Sequence, residues 1–130
     1  TRWFEPPWKA ILSNKAILPV LYRLFPESSY LLKASFEPLV EPHVVKPIHS
    51  REGANIRIQC DGQTLVETGG PYMEGPHIYQ ELAPLPDFDG RRAVIGSWMV
   101  NGHACGIGIR EDDGPITTNL SRFVPHIFTS

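Results

Sequence analysis

The pattern of apolar and polar positions divides the chain near residue 29, helical before it and strand-like after. Over residues 5–25 the apolar positions recur with helical spacing. Glu5 precedes Pro6-Pro7, and proline suits a first helical turn, where its missing N–H would be unpaired anyway. Trp8, Ile11 and Leu12 then fall on one face. Pro19 cannot lie deep inside a long helix, because its ring clashes with the preceding turn. Ser13 and Asn14 can cap a new one. The spacing therefore predicts a short helix to about Leu12, a break at Ser13-Asn14-Lys15 and a second helix to about Phe25, ended by Pro26 and Ser28-Ser29.

After the helices the period shortens. Residues 30–34 form a brief apolar run, and Val44-Val45-Lys46 reads as a short strand stopped by Pro47. Residues 56–60 alternate, Asp61-Gly62 turns the chain and residues 64–68 return, a strong hairpin signal. A loop rich in Gly and Pro spans 69–76, and 78–82 is another strand. Residues 93–100, the turn Asn101-Gly102 and residues 105–109 make a second hairpin. The tail from 115 to 130 contains an apolar stretch, 123–128, without an evident partner. The expected fold class is α+β, a mostly antiparallel sheet over 30–130 with a helical segment over 1–29.

Composition narrows the function classes. The 130 residues are 42% hydrophobic and 20% charged, with a net charge of −2, ordinary for a folded soluble chain. No basic stripe marks a nucleic-acid partner, and no apolar run approaches membrane-spanning length. Cys60 and Cys105 are the only cysteines, too few for a disulfide framework and in keeping with reduced thiols in the cytoplasm. Thirteen prolines punctuate the periodic segments without forming a low-complexity tract. His43, His49, His77, His103 and His126 are too scattered for zinc spacing, so no metal ligand is expected.

Four features could carry chemistry. Lys46 ends a strand and leads into Pro47-Ile48-His49-Ser50-Arg51-Glu52-Gly53-Ala54-Asn55, a loop whose N–H groups can fold over phosphate oxygens while Gly53 lets the backbone come close. Lys46 would add a point charge and Arg51 a forked donor. Taken alone, this is also the composition of a solvated connection. Lys15 lies at the helical break, where a lysine can project into a cleft or into solvent. Tyr79-Gln80-Glu81-Leu82 runs into Pro84, a hinge whose backbone could meet an adenine edge or simply an edge strand ending at proline. Arg110 closes a strand before Glu111-Asp112-Asp113-Gly114. It could stabilise charge on a transferred phosphoryl group. The acidic residues after it invite a Mg²⁺ reading but suit a solvated turn better.

Read in order, these stretches do more than they do singly. Glu5-Pro6-Pro7-Trp8-Lys9 with Leu12-Ser13-Asn14-Lys15-Ala16-Ile17-Leu18-Pro19 resembles the E-P-x-W-K … L-S-N-K-A-L-L-P stretch of the glutathionylspermidine synthase family. Val45-Lys46-Pro47 with Arg51-Glu52-Gly53-Ala54-Asn55 is similar to its V-K-P … R-x-G-x-N loop. Ile78-Tyr79-Gln80-Glu81-Leu82 resembles its I-Y-Q-x-L hinge, and residues 106–110 its closing strand and arginine. The resemblance covers most of the chain and places it at the C-terminal, ATP-binding part of the family's domain. It lies closer to a bacterial branch than to the bifunctional branch that also carries an amidase.

The resemblance implies an ATP-grasp ligase, in which a carboxylate (glutathione-like) becomes an acyl phosphate and an amine (spermidine-like) attacks it to give an amide. It implies nucleotide contacts from Lys15 and Lys46, a phosphate loop of Ser50, Arg51, Gly53 and Asn55, adenine contacts from Gln80, Glu81 and Leu82, and Arg110 near the reacting end. It also implies that the Mg²⁺ ligands and the substrate-carboxylate arginine lie upstream, so that this fragment of a longer chain is inactive alone. A fragment of a two-part grip would expose apolar surface that a second copy could cover. The alternative is a non-catalytic nucleotide-binding or interaction module.

Overall fold

A computed structural model describes residues 1–2, 6–72 and 74–129. Glu5, part of the expected first helical cap, lies outside them. The chain divides into two compact units, Thr1–Ala83 and Pro84–Ser130, each built on its own antiparallel sheet.

The first unit begins with a 3-10 helix, Pro7–Ser13, rather than an α-helix. Seven residues and two leading prolines suit the tighter helix, which runs only in short pieces. None of its residues is buried, and Trp8 is 61% exposed, so the apolar face that the spacing predicts is not packed in this unit. The break falls at Asn14, whose Oδ1 accepts from the Ala16 N–H at 2.8 Å. That side chain closes a turn on its own backbone, and α1, Ile17–Leu24, follows. Pro19 is accommodated because it occupies the first turn of α1, where no i−4 carbonyl requires its missing N–H. It is the buried residue of the helix.

Five strands complete this unit: β1 Ala34–Ser35, β2 His43–Pro47, β3 Arg57–Cys60, β4 Gln63–Glu67 and β5 His77–Glu81. Their order across the sheet is β1-β5-β2-β3-β4. The strand expected at 30–34 shrinks to β1, and Tyr30 is exposed in a turn before it. Cys60 pairs with Gln63, leaving Asp61-Gly62 as a two-residue turn with φ of 50° and 74°, the left-handed geometry such a hairpin requires. The core lies at the sheet's centre, where Ile78 is 0% and Val45 1% exposed. Ile78 faces the same side as Lys46, its direct cross-strand partner.

The second unit is a four-stranded sheet ordered β6-β7-β8-β9, with β6 Asp87–Phe88, β7 Arg91–Val100, β8 His103–Asp112 and β9 Arg122–Val124. The Asn101-Gly102 turn forms as expected, with φ of 49° and 79°, but both its strands run longer than predicted. Two strands were not anticipated. Asp89-Gly90, with φ of 52° and 82°, closes a further hairpin through β6, and the first residues of the apolar stretch, Phe123 and Val124, pair with β8 in β9, whereas Ile127 and Phe128 stay exposed. The expected α+β class with antiparallel pairing holds, with the strands forming two sheets.

Candidate functional site

The chemistry of the first unit gathers where the helical break meets the loop after β2. The Lys15 N–H donates to the Ile48 carbonyl at 2.9 Å, and the Lys15 ammonium donates to the Ser50 carbonyl. The residue at the break is thus tied to a loop 35 positions away. Lys46, on β2, donates from Nζ to Gln80 Oε1 on β5 at 2.6 Å. Val44 is the direct partner of Gln80, so Lys46 reaches diagonally across the sheet to a side chain on its own face. Burial, and then the charge of Lys15, push the Lys46 pKa below the ordinary lysine range. Burial, and then the Arg51 guanidinium, do the same to Lys15. Lys46 therefore senses Lys15, and Lys15 senses Arg51, and among the described residues no carboxylate forms an ion pair with any of the three. Like charges gathered without a counter-ion cost stability, and an anion would relieve that cost. A cavity of about 280 Å³, lined by Lys15, Arg51, Ser50, Asn14 and apolar side chains of the helical segment, opens beside them.

The loop supplies a second kind of donor. Among the described residues no hydrogen bond takes up the N–H groups of Arg51, Glu52 and Gly53. Glu52 and Gly53 carry φ of 53° and 73°, and the Ala54 N–H donates to the Arg51 carbonyl at 2.9 Å, a turn of the I′ kind, and turns of successive backbone N–H groups can bind anions. Glycine at 53 meets the left-handed requirement without a Cβ penalty.

Other expected site residues have structural work. Ser50 is 3% exposed, and both its Oγ and its N–H donate to the Pro47 carbonyl, at 3.2 and 3.3 Å; the hydroxyl points into the turn. Asn55 directs Oδ1 to the Tyr72 N–H at 2.8 Å and its own N–H to the Gly69 carbonyl. At the hinge, β5 lies between β1 and β2 rather than at the edge. The N–H groups of Glu81 and Leu82 donate to the Lys33 and Pro42 carbonyls at 2.8 and 3.0 Å. An adenine could use those two donors only by displacing bonds that hold the unit together. Gln80 alone of the three turns its side chain to the cation cluster.

The second unit holds Arg110 and the acidic turn. Arg110 donates from Nη2 to the Thr118 carbonyl, with its guanidinium carbon 5.4 Å from the centre of the Phe123 ring; its buried Nε has no hydrogen-bond partner among the described residues. Asp112 is not a solvated turn residue. Its carboxylate accepts from the Ser121 hydroxyl, from the Gly114 N–H at 3.1 Å and from the Thr118 hydroxyl at 3.4 Å. Those bonds, that from Ser121 foremost, hold its pKa below the usual carboxylate range. With its oxygens committed in this way, Asp112 does not fit a Mg²⁺ ligand, and among the described residues no three His, Cys, Asp or Glu side chains cluster as a metal site would need.

Comparison with known proteins places this geometry. Residues 1–129 match the family model described as glutathionylspermidine synthase preATP-grasp. The chain belongs to the glutathionylspermidine synthase family. The description names the preATP-grasp portion, which corrects the placement of the chain at the C-terminal portion of the family. A provisionally named acid–amine ligase of Haemophilus influenzae is 41% identical over 98% of this chain and 35% of its own length. A trypanothione synthetase of Crithidia fasciculata is 44% identical over 88% of this chain and 18% of its own. The bifunctional glutathionylspermidine synthetase/amidase of Escherichia coli is 37% identical over 95% of this chain and 21% of its own. The chain thus spans about a third or less of the curated relatives it matches.

Proposed function

We propose that this family member binds ATP through the Lys15–Lys46–Arg51 cluster, as part of a carbon–nitrogen ligase that joins a carboxylate to an amine. The observation that carries the proposal is the gathering of three uncompensated cations beside a loop with free N–H groups. Such a donor set fits the oxygens of a polyphosphate. The names of the relatives supply the class of reaction. On this reading the five-stranded sheet is one half of an ATP-grasp-like grip, and the first substrates to test are a glutathione-like acid and a spermidine-like amine.

The chemistry would run in two displacements. A carboxylate oxygen attacks the γ-phosphorus and ADP leaves, giving an acyl phosphate. The amine nitrogen attacks the acyl carbon, loses a proton and expels phosphate. The residues of this chain bind and orient the nucleotide: Lys46 and Lys15 as point charges, Arg51 as a fork, and the Arg51–Gly53 amides as fixed dipoles. Gln80 holds Lys46 in place. A role for Arg110 near the reacting end rests on the family resemblance and on its unpartnered Nε. Mg²⁺, when bound, would neutralise phosphate charge, and its ligands would come from outside this stretch.

The test uses the complete parent protein with ATP, Mg²⁺, glutathione and spermidine. Phosphate release together with a mass-detected amide is the expected outcome. ATP binding with no turnover against a panel of acids and amines would favour the non-catalytic module, and no ATP binding at all would remove the proposal.

A further inference from the structure

The loop that carries the free amides is held at its start by Lys15, through the Ile48 and Ser50 carbonyls, and over its second half by the residues that follow β4. Thr68 is the centre of this clamp. Its hydroxyl donates to the Gly53 carbonyl at 2.5 Å and accepts from the Ile56 N–H at 2.9 Å, so both ends of the loop's second half meet one oxygen. The Thr68 N–H adds a bond to the Ile56 carbonyl at 3.0 Å. Asn55 adds two more attachments, its N–H to the Gly69 carbonyl at 3.2 Å and its Oδ1 to the Tyr72 N–H at 2.8 Å. Gly70 presses against the same point. A Cβ there would lie 2.6 Å from Asn55 Oδ1 and 2.7 Å from the Ala54 Cβ, closer than real side chains approach.

This pattern separates two roles within one loop. The carbonyl side of Gly53 and the side chain of Asn55 are turned to the 68–72 segment, whereas the N–H groups of Arg51, Glu52 and Gly53 are left without acceptors. The Gly53 carbonyl shares its peptide plane with the Ala54 N–H, which donates to the Arg51 carbonyl at 2.9 Å, and that carbonyl shares its plane with the free Glu52 N–H, so the Thr68 bond reaches the turn's amides through one intervening hydrogen bond. Preset donors bind an anion without the ordering cost that a mobile loop would incur.

We propose that Thr68 and Asn55 are positioning residues, clamping the Arg51–Gly53 amides in a preformed cradle for the phosphate groups of a nucleotide, with Gly70 present because only glycine allows the two loops to meet. Asn55, expected from the sequence to touch the nucleotide, acts instead through the loop. The inference rests on the proposal that this cluster binds ATP.

The experiment measures ATP affinity by calorimetry in the complete parent protein, together with the KM values for ATP and for the amine. Thr68→Val keeps the shape and removes the hydroxyl; Thr68→Ser restores it. Thr68→Val is expected to weaken ATP binding about tenfold, the effect of one lost hydrogen bond at the loop. It should raise the KM for ATP without raising that for the amine, and Thr68→Ser should return both to the wild-type values. A merely structural threonine would lower the melting temperature without that selective split. Gly70→Ala repeats the test by pushing the Asn55 amide aside, so the outcome does not depend on Thr68→Val folding. Unchanged ATP affinity in folded Thr68→Val or Gly70→Ala overturns the clamp and leaves the ATP proposal standing. Wild-type parent that binds no ATP overturns both.

Discussion

The cation cluster of the first unit and the arginines of the second are handled in opposite ways. In the second, the arginines close on partners: Arg92 on Asp87 at 2.9 Å, Arg91 on Glu111 at 3.6 Å and Arg122 on Asp113 at 2.6 Å. Asp112 is surrounded by hydroxyl and amide donors. In the first, Lys15, Lys46 and Arg51 have no carboxylate partner among the described residues, and two of the three have their pKa values driven down. Charges that answer one another hold a fold in shape. Charges that do not are a standing cost, kept where something outside the chain supplies the counter-charge. In the second unit Arg110, whose buried Nε has no hydrogen-bond partner among the described residues, departs from that pattern.

The largest expected effect breaks the contrast at its centre. Lys46→Ala in the parent should reduce ATP-dependent phosphate release about a hundredfold, the usual scale for a lost charge-stabilising donor, with the fold intact by circular dichroism. Wild-type turnover in that variant would show that the unpaired cations are not the site.

Acidity sharpens the same contrast. An anion raises the Lys46 pKa toward its ordinary value, so binding takes up a proton once the free lysine has begun to lose its own. ATP affinity should therefore fall as pH rises through the lowered Lys46 pKa, by about tenfold per pH unit at most, the slope of one linked proton. In the free protein the sign reverses. Between the lowered value and the ordinary lysine value the unfolded chain holds more protons than the folded one, so stability should rise with pH across that window. Denaturant titrations at stepped pH should show a shallower rise in Lys46→Met.

The second unit should answer in stability instead. Asp112→Asn removes a charged acceptor from three donors and should cost on the order of 1 kcal/mol by urea denaturation, with little change in ATP affinity. Because the folded pKa of Asp112 is lowered, its contribution is present above the ordinary aspartate value and lost as pH falls through the folded one. The smallest effect belongs to Arg122→Ala. Its exposed pair with Asp113 should be worth only a few tenths of a kcal/mol, measurable as a slight change in melting temperature and none in nucleotide binding.

Much of the local architecture was legible along the chain, for local reasons. Asp61-Gly62 and Asn101-Gly102 announced their hairpins because few residues tolerate positive φ, and the helical break was marked by Asn14, which does close it. Asp89-Gly90 carried the same signal. It was overlooked because the strand before it is two residues long and the one after it opens on two arginines, leaving no alternation to read. β9 was illegible for a different reason: Arg122-Phe123-Val124 becomes a strand only by pairing with Ile109, Arg110 and Glu111, and pairing partners leave no periodic mark. Of the site, Lys15, Lys46, Arg51 and Gly53 were named from motif order. Thr68 and Gly70 were not: Thr68 read as the last residue of a returning strand and Gly70 as part of a Gly/Pro-rich connection.

By itself, then, the order of residues determined the turns, the strand alternation, the family and the identity of the cations, because each depends on groups within a few positions of one another or on a run of motifs. Only the tertiary structure decided what those groups do. It placed Lys15 on the carbonyl of Ser50 and Lys46 on Gln80, turned Ser50 and Asn55 inward, and left three lysine and arginine charges facing no carboxylate among the described residues. Whether a charge is answered depends on neighbours brought together by folding, and spacing along the chain does not encode that distance.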